Sequence, residues 1–526
     1  MTHSRIVQRG GVAARRLRNV AVCVAAWLAL VALAQTRMEP EASTQGVPAV
    51  VRANTNQLPT LGDGSELTAS AERRLGDRIA REIYRDPDYL DDPVIVEYVD
   101  GIWQALLTAA RTRGDLSPEL EQRFAWEIMI GRDRSVNAFA LPGGYLGLHL
   151  GLISVVASRD ELASVLGHEL SHVTQRHISR LMTKQSAQTP WMIGAMILGA
   201  LAASKSPDAA NALIAGGQAV AMQNQLNFSR DMEREADRVG FGVMTQAGFA
   251  PQGFTSMFDK LQQASRLNDN GAFPYLRSHP LTTERIADIQ ARQPVGPGAA
   301  APIALTMEHA MVSARARVLS NPGAEMLRQW LGEAGAPALS TQPPARQAGV
   351  LYACSLAAAK LRDFSAANLC LEGLSVLTRP SAQARRQTGL LAVELALQSG
   401  QAAPALPTQG RPELLLSAQV LTGTGRAADA TGGLQTWVAT HPRDAMAWQS
   451  LANAYAAQGQ GLRALRAEAE ARAAQFDYAA ALDRFKAAQA MVRNASGAGL
   501  DHIEASIIDT RARQVQLALR EQALER

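Results

Sequence analysis

Residues 159–182 carry apolar side chains at helical spacing (Leu162, Val165, Leu166, Leu170, Val173), and within them stands Leu166-Gly167-His168-Glu169-Leu170-Ser171-His172. Four residues turn a helix by roughly 400°, so His168 and His172 leave the same face. Two neutral imidazoles on one turn make half of a tetrahedral zinc site. Glu169 follows the first of them, so it lies beside such a metal without being a third in-line ligand. There it can take a proton from an attacking water and later give one to a leaving amine. This is the HExxH pattern. Three fixed letters in five recur by chance, but the periodic helix and Gly167, which leaves room for a neighbouring backbone, argue against accident here. The chain must therefore bury this helix and bring a third ligand to it from elsewhere.

His177 is too far round to be that ligand. Nine residues from His168 correspond to about half a turn of offset, which puts it on the far face as a surface or capping histidine. The metzincin arrangement would need Gly at 175 and His at 178, where this chain has Gln175 and Ile178. The better source is Asn227-Phe228-Ser229-Arg230-Asp231-Met232-Glu233-Arg234-Glu235-Ala236-Asp237, which also reads as helix. Glu233 and Asp237 share a face. One carboxylate can ligate the metal while the other orients a ligand histidine through its second nitrogen. Standing alone, the same segment would read as a solvated charged helix.

The 526 residues leave room for roughly two to four domains. With 47% hydrophobic and 19% charged residues, global disorder is excluded. Five arginines precede the uncharged run Val20–Ala34, which ends in Ala32-Leu33-Ala34. This reads as a secretory signal peptide cleaved near Ala34, and the run is short for a transmembrane helix. Without it the formal charge falls from +4 to about −1, so the basic balance is a targeting signal and gives no argument for nucleic-acid binding. A polar extension follows over 35–70, then two helices over 71–114, and a small antiparallel sheet within 124–153 around the turn Leu141-Pro142-Gly143-Gly144. The apolar run 191–203 reads as a buried helix or a lid beside the site. Linker composition (PVGPGAAAP) marks a segment with one helix over 293–345. The metallopeptidase domain is thus expected over 71–292 and a helical repeat domain over 346–526.

Repeat character rests on Trp448, Leu451, Ala452 and Tyr455, which match the first-helix pattern of a tetratricopeptide unit, with Ala464 at the small position of the second helix. Leu361-Arg362-Asp363-Phe364-Ser365-Ala366-Ala367 and Asp477-Tyr478-Ala479-Ala480-Ala481 repeat the turn-and-small-residue theme. In that register Cys354 and Cys370 lie on facing helices. They could bond there, or stay a buried pair of thiols.

HELSH, SRDMEREAD and NAFALPGGYLGLHLGLI together resemble the HtpX-like and CAAX-prenyl-protease-like gluzincin metallopeptidases, over roughly residues 70–290. The fold this implies is mainly α, a gluzincin-type helical domain with a small antiparallel sheet, followed here by a tetratricopeptide-repeat solenoid. The resemblance implies one Zn2+ per chain, held by His168, His172 and Glu233, with Glu169 as general base and acid and Asp237 orienting a ligand. Asn137, Ala138, Phe139 and Ala140 become the edge strand that pairs with an extended substrate. Arg277-Ser278-His279-Pro280 matches the loop whose histidine caps the metal in periplasmic members and keeps them latent. This chain lacks the spanning helices of the membrane-embedded relatives, which favours soluble protein substrates. The implied function is a periplasmic zinc endopeptidase that degrades misfolded or stalled envelope and outer-membrane proteins. The tail would add a chaperone-like role or dock on the outer-membrane barrel assembly machinery, with peripheral membrane contact and no nucleic acid. Two other readings are a repeat-based chaperone whose proteolysis is latent, and a purely structural zinc site closed by His279.

Overall fold

The computed structural model describes residues 67–184, 229–266, 273–293, 305–407, 410–494 and 501–524. The run read as a signal peptide, most of the polar extension, the apolar run 191–203 and residues 294–304 at the start of the expected linker lie outside them.

Helix α1 (Ala69–Arg85) is capped by Thr68, and α2 (Pro93–Arg113) by Asp92, whose side chain accepts from the Ile95 amide at 3.0 Å. Pro93 opens α2 where no amide donor is needed, and Gly114 closes it at φ 79°. The short α3 (Pro118–Arg123) leads into β1 (Glu127–Gly131), β2 (Ala138–Leu141) and β3 (Tyr145–His149). The sheet order is β1-β3-β2, so β3 is central and wholly buried, and β2 is an edge. β2 and β3 pair antiparallel, with Ala138 opposite Leu148, as the Pro142-Gly143-Gly144 turn between them suggests. β1 joins the other side of β3 in parallel, Glu127 opposite Tyr145, so the sheet is mixed rather than uniformly antiparallel. Gly143 and Gly144 sit at φ 73° and 84°, and a Cβ on Gly143 would meet the Arg73 Cα at 2.7 Å. The turn therefore seats against α1 only because it lacks side chains.

Helix α4 (Leu150–Val155) follows β3, and Ser158 caps α5 (Arg159–Thr174). Every residue of α5 from Glu161 to Thr174 is buried. Next come α6 (His177–Lys184), α7 (Arg230–Gln246), α8 (Gln252–Arg266), α9 (Tyr275–Ser278) and α10 (Thr283–Ala291). α5 and α7 touch backbone to backbone at Gly167 and Gly240, where a Cβ on Gly240 would stand 2.9 Å from Gly167. That close approach lets short acidic side chains of α7 reach the histidines of α5.

Eleven further helices complete the described chain: α11 (Met307–Leu319), α12 (Ala324–Ala334), α13 (Pro344–Lys360), α14 (Phe364–Leu377), α15 (Ala382–Ser399), α16 (Arg411–Gly423), α17 (Ala427–Thr440), α18 (Ala445–Ala457), α19 (Gly461–Ala474), α20 (Tyr478–Asn494) and α21 (His502–Leu524). Arg362, Gly425, Gly459 and Phe476 all take positive φ, and each stands two residues before the start of the next helix. The same tight reversal thus recurs along the tail. Small residues such as Ala452, Ala464 and Ala467 fill the helix contacts, with Leu451 and Tyr455 packed among them. Among the described residues, no helix is long and apolar enough to cross a membrane.

Cys354 on α13 and Cys370 on α14 are joined as a disulfide, with Cα atoms 6.1 Å apart. The bridge closes a loop with a sequence separation of 16. Its removal by Cys370→Ser is expected to destabilise the tail by about 3 kcal/mol, chiefly by freeing the unfolded chain. Thermal unfolding checks this, and the reduced parent should then match the variant. No change on reduction would show that the bond does not constrain the unfolded state.

The start of α2 joins the tail through three arginines. Arg315 on α11 grips Asp92 (2.7 and 2.8 Å) and Glu394 (2.6 and 2.9 Å), while the Tyr352 hydroxyl accepts from it at 3.0 Å. Arg386 bridges Glu97 and Glu413, and Arg411 bridges Asp91 and Asp444. Arg315 is buried, so its loss would strand two carboxylates. Arg315→Ala is expected to cost about 3–5 kcal/mol, seen as a lower urea midpoint. An unmoved midpoint would mean that the two carboxylates find water.

Candidate metal centre

α5 projects His168 and His172 from one face, and their Nε2 atoms stand 3.0 Å apart. α7 brings Glu233 opposite them, with Oε2 3.5 Å from His168 Nε2 and Oε1 3.4 Å from His172 Nε2. The segment after α9 contributes His279, whose Nδ1 lies 3.0 Å from Glu233 Oε1 and 3.3 Å from His168 Nε2. All four residues are buried, and one donor atom from each falls within 4.8 Å of the others.

These residues fit a metal ion by spacing and by charge. Ligand bonds of about 2.0–2.1 Å at tetrahedral angles separate ligand atoms by roughly 3.3–3.4 Å, close to the distances above. Glu169, Glu233 and Asp237 are all buried, and Arg285 offsets a single charge among them. A divalent cation would balance the other two. The imidazoles register the same demand. Burial pushes His168 down, yet hydrogen bonds to Asp237 and Glu233 outweigh it and hold the ring up at about 9. His172 is driven well below its usual value by burial and by the neighbouring His168.

Glu169 sits on the sheet side of the cluster. Its Oε2 accepts from the Ala140 amide of β2 at 3.0 Å, and its Oε1 lies 3.5 Å from His279 Nε2. Burial pushes its carboxyl up. Asp237 stands 2.9 Å from His168 Nδ1 and takes Arg285 in a two-point grip at 2.6 and 2.8 Å. Arg285 also reaches Glu233 at 2.7 Å. Tyr275 stacks on His279 with ring centres 4.6 Å apart, and its amide donates to Val136 O at 3.3 Å. The His279 segment therefore lies against the approach to β2.

Of the residues singled out in sequence, His168, His172, Glu233, Glu169, Asp237 and His279 converge, and Ala140 is at the cluster through its amide. In β2, the His149 amide bonds back to Asn137 O, so Ala138 and Ala140 turn their backbone groups away from β3. Phe139 packs its ring on His149, with ring centres 5.7 Å apart. His177 corrects the sequence reading. It is buried, not at the surface, and its Nδ1 lies 2.9 Å from His172 Nδ1. The helical offset failed because α5 ends at Thr174 and Arg176 takes φ 53°, which swings the chain back before α6. Arg285 and Glu235 were not anticipated. Arg285 lies 48 residues from its partner Asp237 and carries no spacing signal. Glu235 alternates with Glu233 and Asp237, a pattern that places it on another face of the helix.

Residues 111–293 match peptidase family M48. A Vibrio cholerae protein provisionally named a beta-barrel assembly-enhancing protease is 36% identical over 252 residues, 47% of this chain and 49% of that protein. The beta-barrel assembly-enhancing protease of Escherichia coli strain K12 is 31% identical over 237 residues, 45% of this chain and 47% of its own. The mitochondrial metalloendopeptidase OMA1 of Arabidopsis thaliana is 32% identical over 161 residues, 31% of this chain and 30% of its own. The chain spans about half the length of the first two of these curated relatives. Sequence match and buried histidine–carboxylate cluster coincide on the same segment: the chain carries a metallopeptidase domain of family M48 over residues 111–293.

Proposed function

We propose that the protein is a zinc endopeptidase of the bacterial periplasm that cleaves misfolded or stalled envelope proteins, outer-membrane barrels among them. The observation that carries this reading is the buried convergence of His168 and His172 of α5 with Glu233 of α7, and Glu169 beside His168 on α5. The first two relatives, both named for β-barrel assembly, support the substrate class. His168, His172 and Glu233 would hold the zinc, which when bound polarises the scissile carbonyl and makes the attacking water more acidic. Glu169 takes the proton from that water and delivers it to the leaving amine. Asp237, braced by Arg285, keeps His168 oriented. An extended substrate adds along the outward backbone groups of Ala138 and Ala140, which fixes its register over the site.

In the state described, His279 Nδ1 lies 3.0 Å from Glu233 Oε1 and its Nε2 lies 3.5 Å from Glu169 Oε1, where the attacking water would stand. Glu169 holds the Ala140 amide, and the segment bearing Tyr275 and His279 packs beside it. His279 is therefore a latch that must withdraw before turnover. His279→Ala is expected to raise peptide cleavage severalfold, and unchanged cleavage would remove the latch. The helical tail, read as degenerate tetratricopeptide repeats, would supply client contacts and a docking face for the barrel assembly machinery.

The test of the enzyme reading is metal analysis together with digestion of unfolded casein, before and after chelation. About one zinc per chain and cleavage that is lost with zinc and restored with it are expected. Cleavage indifferent to chelation would reject the reading. The closed site favours a second reading, in which the protein mainly holds clients and cuts rarely. Suppression of client aggregation by a protein that cannot cleave would support it.

A further inference from the structure

The two histidines of α5 are braced in different ways. His168 Nδ1 faces the carboxylate of Asp237, itself gripped by Arg285. His172 Nδ1 faces a ring nitrogen instead, Nδ1 of His177, at 2.9 Å. The far nitrogen of His177, Nε2, lies 3.1 Å from Glu235 Oε2, and Arg180 Nη1 donates to the same oxygen at 2.8 Å.

The partners dictate where the protons sit. A carboxylate paired with arginine only accepts, so His177 Nε2 carries a proton. In a neutral ring, His177 Nδ1 is then a lone pair. Two ring nitrogens 2.9 Å apart share one proton, so His172 Nδ1 must be the donor. That leaves His172 Nε2 as a lone pair, directed at His168 and Glu233. We propose that His177 is a positioning residue for the metal centre, which by accepting from His172 Nδ1 locks His172 in the tautomer whose Nε2 can ligate. Glu235 and Arg180 set the polarity of this relay, just as Arg285 sets that of the Asp237 arm. The relay exists because the chain reverses at Arg176, which is anchored to Glu72 at 3.1 Å and to the Leu67 carbonyl. Glu233, Glu235 and Asp237 of one helix thus serve the ion, the His172 arm and the His168 arm in turn. The inference rests on the metallopeptidase reading above.

The test uses the full-length protein and three variants. Zinc affinity is measured by competition with a chromogenic chelator, and the His172 tautomer by nitrogen NMR of the metal-free protein. His177→Ala is expected to weaken zinc binding by about 10–100-fold and to yield mixed His172 tautomers. In His177→Asn the amide oxygen stands where Nδ1 stood, so it should restore affinity to within about threefold of the parent. Glu235→Gln can donate to His177 Nε2 and reverse the relay, so it should lose at least about tenfold while keeping its bond partner. The proposal falls if His177→Ala and Glu235→Gln both bind zinc like the parent, or if His177→Asn loses as much as His177→Ala. Should His177→Ala fail to fold, the other two variants decide. A parent that binds no zinc would instead overturn the metallopeptidase reading, and this inference with it.

Discussion

Glu169→Gln is expected to lower kcat/KM on an unfolded protein by about 10²–10⁴-fold while zinc stays bound. The argument is one of shape kept and chemistry removed. Glutamine has the volume of glutamate, and its amide oxygen can still accept from the Ala140 amide, a bond of 3.0 Å in the parent. The fully buried pocket around residue 169 need not rearrange. What is lost is the ability to take a proton from water and return it to the departing nitrogen. The measurement is cleavage of casein alongside zinc content of the same sample. A variant that cuts at the parental rate would take Glu169 out of the reaction. A variant that loses its zinc would make Glu169 a ligand rather than a base. If clients still fail to aggregate in its presence, holding and cutting are separate activities of one chain.

The parts of this site that were legible in sequence share a property: their geometry is set within one helix. His168, Glu169 and His172 are related by helical turns alone, and α5 has the pattern of apolar residues and the Ser158 cap that fix it as a helix. Glu233 and Asp237 are related in the same way on α7. Spacing could say that one of them ligates and the other orients, but not which. The choice depends on how deeply each reaches past the Gly167–Gly240 contact, a tertiary distance. His177 was misplaced because the offset argument assumed a continuous helix. The break comes at Arg176, a residue type with no preference for positive φ, held there by Glu72 from α1. Arg285, Arg315, Arg386 and Arg411 were invisible for a related reason. Each matters through carboxylates distant in sequence, and a lone arginine on a helix reads as surface. The hairpin was signalled by Pro142-Gly143-Gly144, but nothing local signals that β1 adds in parallel. That pairing follows from where α3 delivers the chain.

Zinc is expected to be a structural asset of the domain as well as its catalyst. At about a thousandfold excess over its dissociation constant it should add about 4 kcal/mol to the unfolding free energy, on the order of 10 °C in Tm. The reason lies in the charge packed around α5 and α7. Glu169, Glu233 and Asp237 are buried, and the fixed positive charge of Arg285 is committed to Asp237 and to one oxygen of Glu233. An ion at the crossing of His168, His172 and Glu233 relieves that repulsion in the folded state and has no comparable site in the unfolded chain. Glu233→Gln keeps the volume but removes both a ligand and a charge. Its metal-free form should unfold below the parental temperature, since Arg285 and His279 lose a buried carboxylate partner, while its zinc-dependent gain shrinks to under about 1 kcal/mol. Differential scanning calorimetry at matched free zinc reads both quantities. Equal zinc-dependent gains in parent and variant would place the ion elsewhere on the chain and detach Glu233 from the metal.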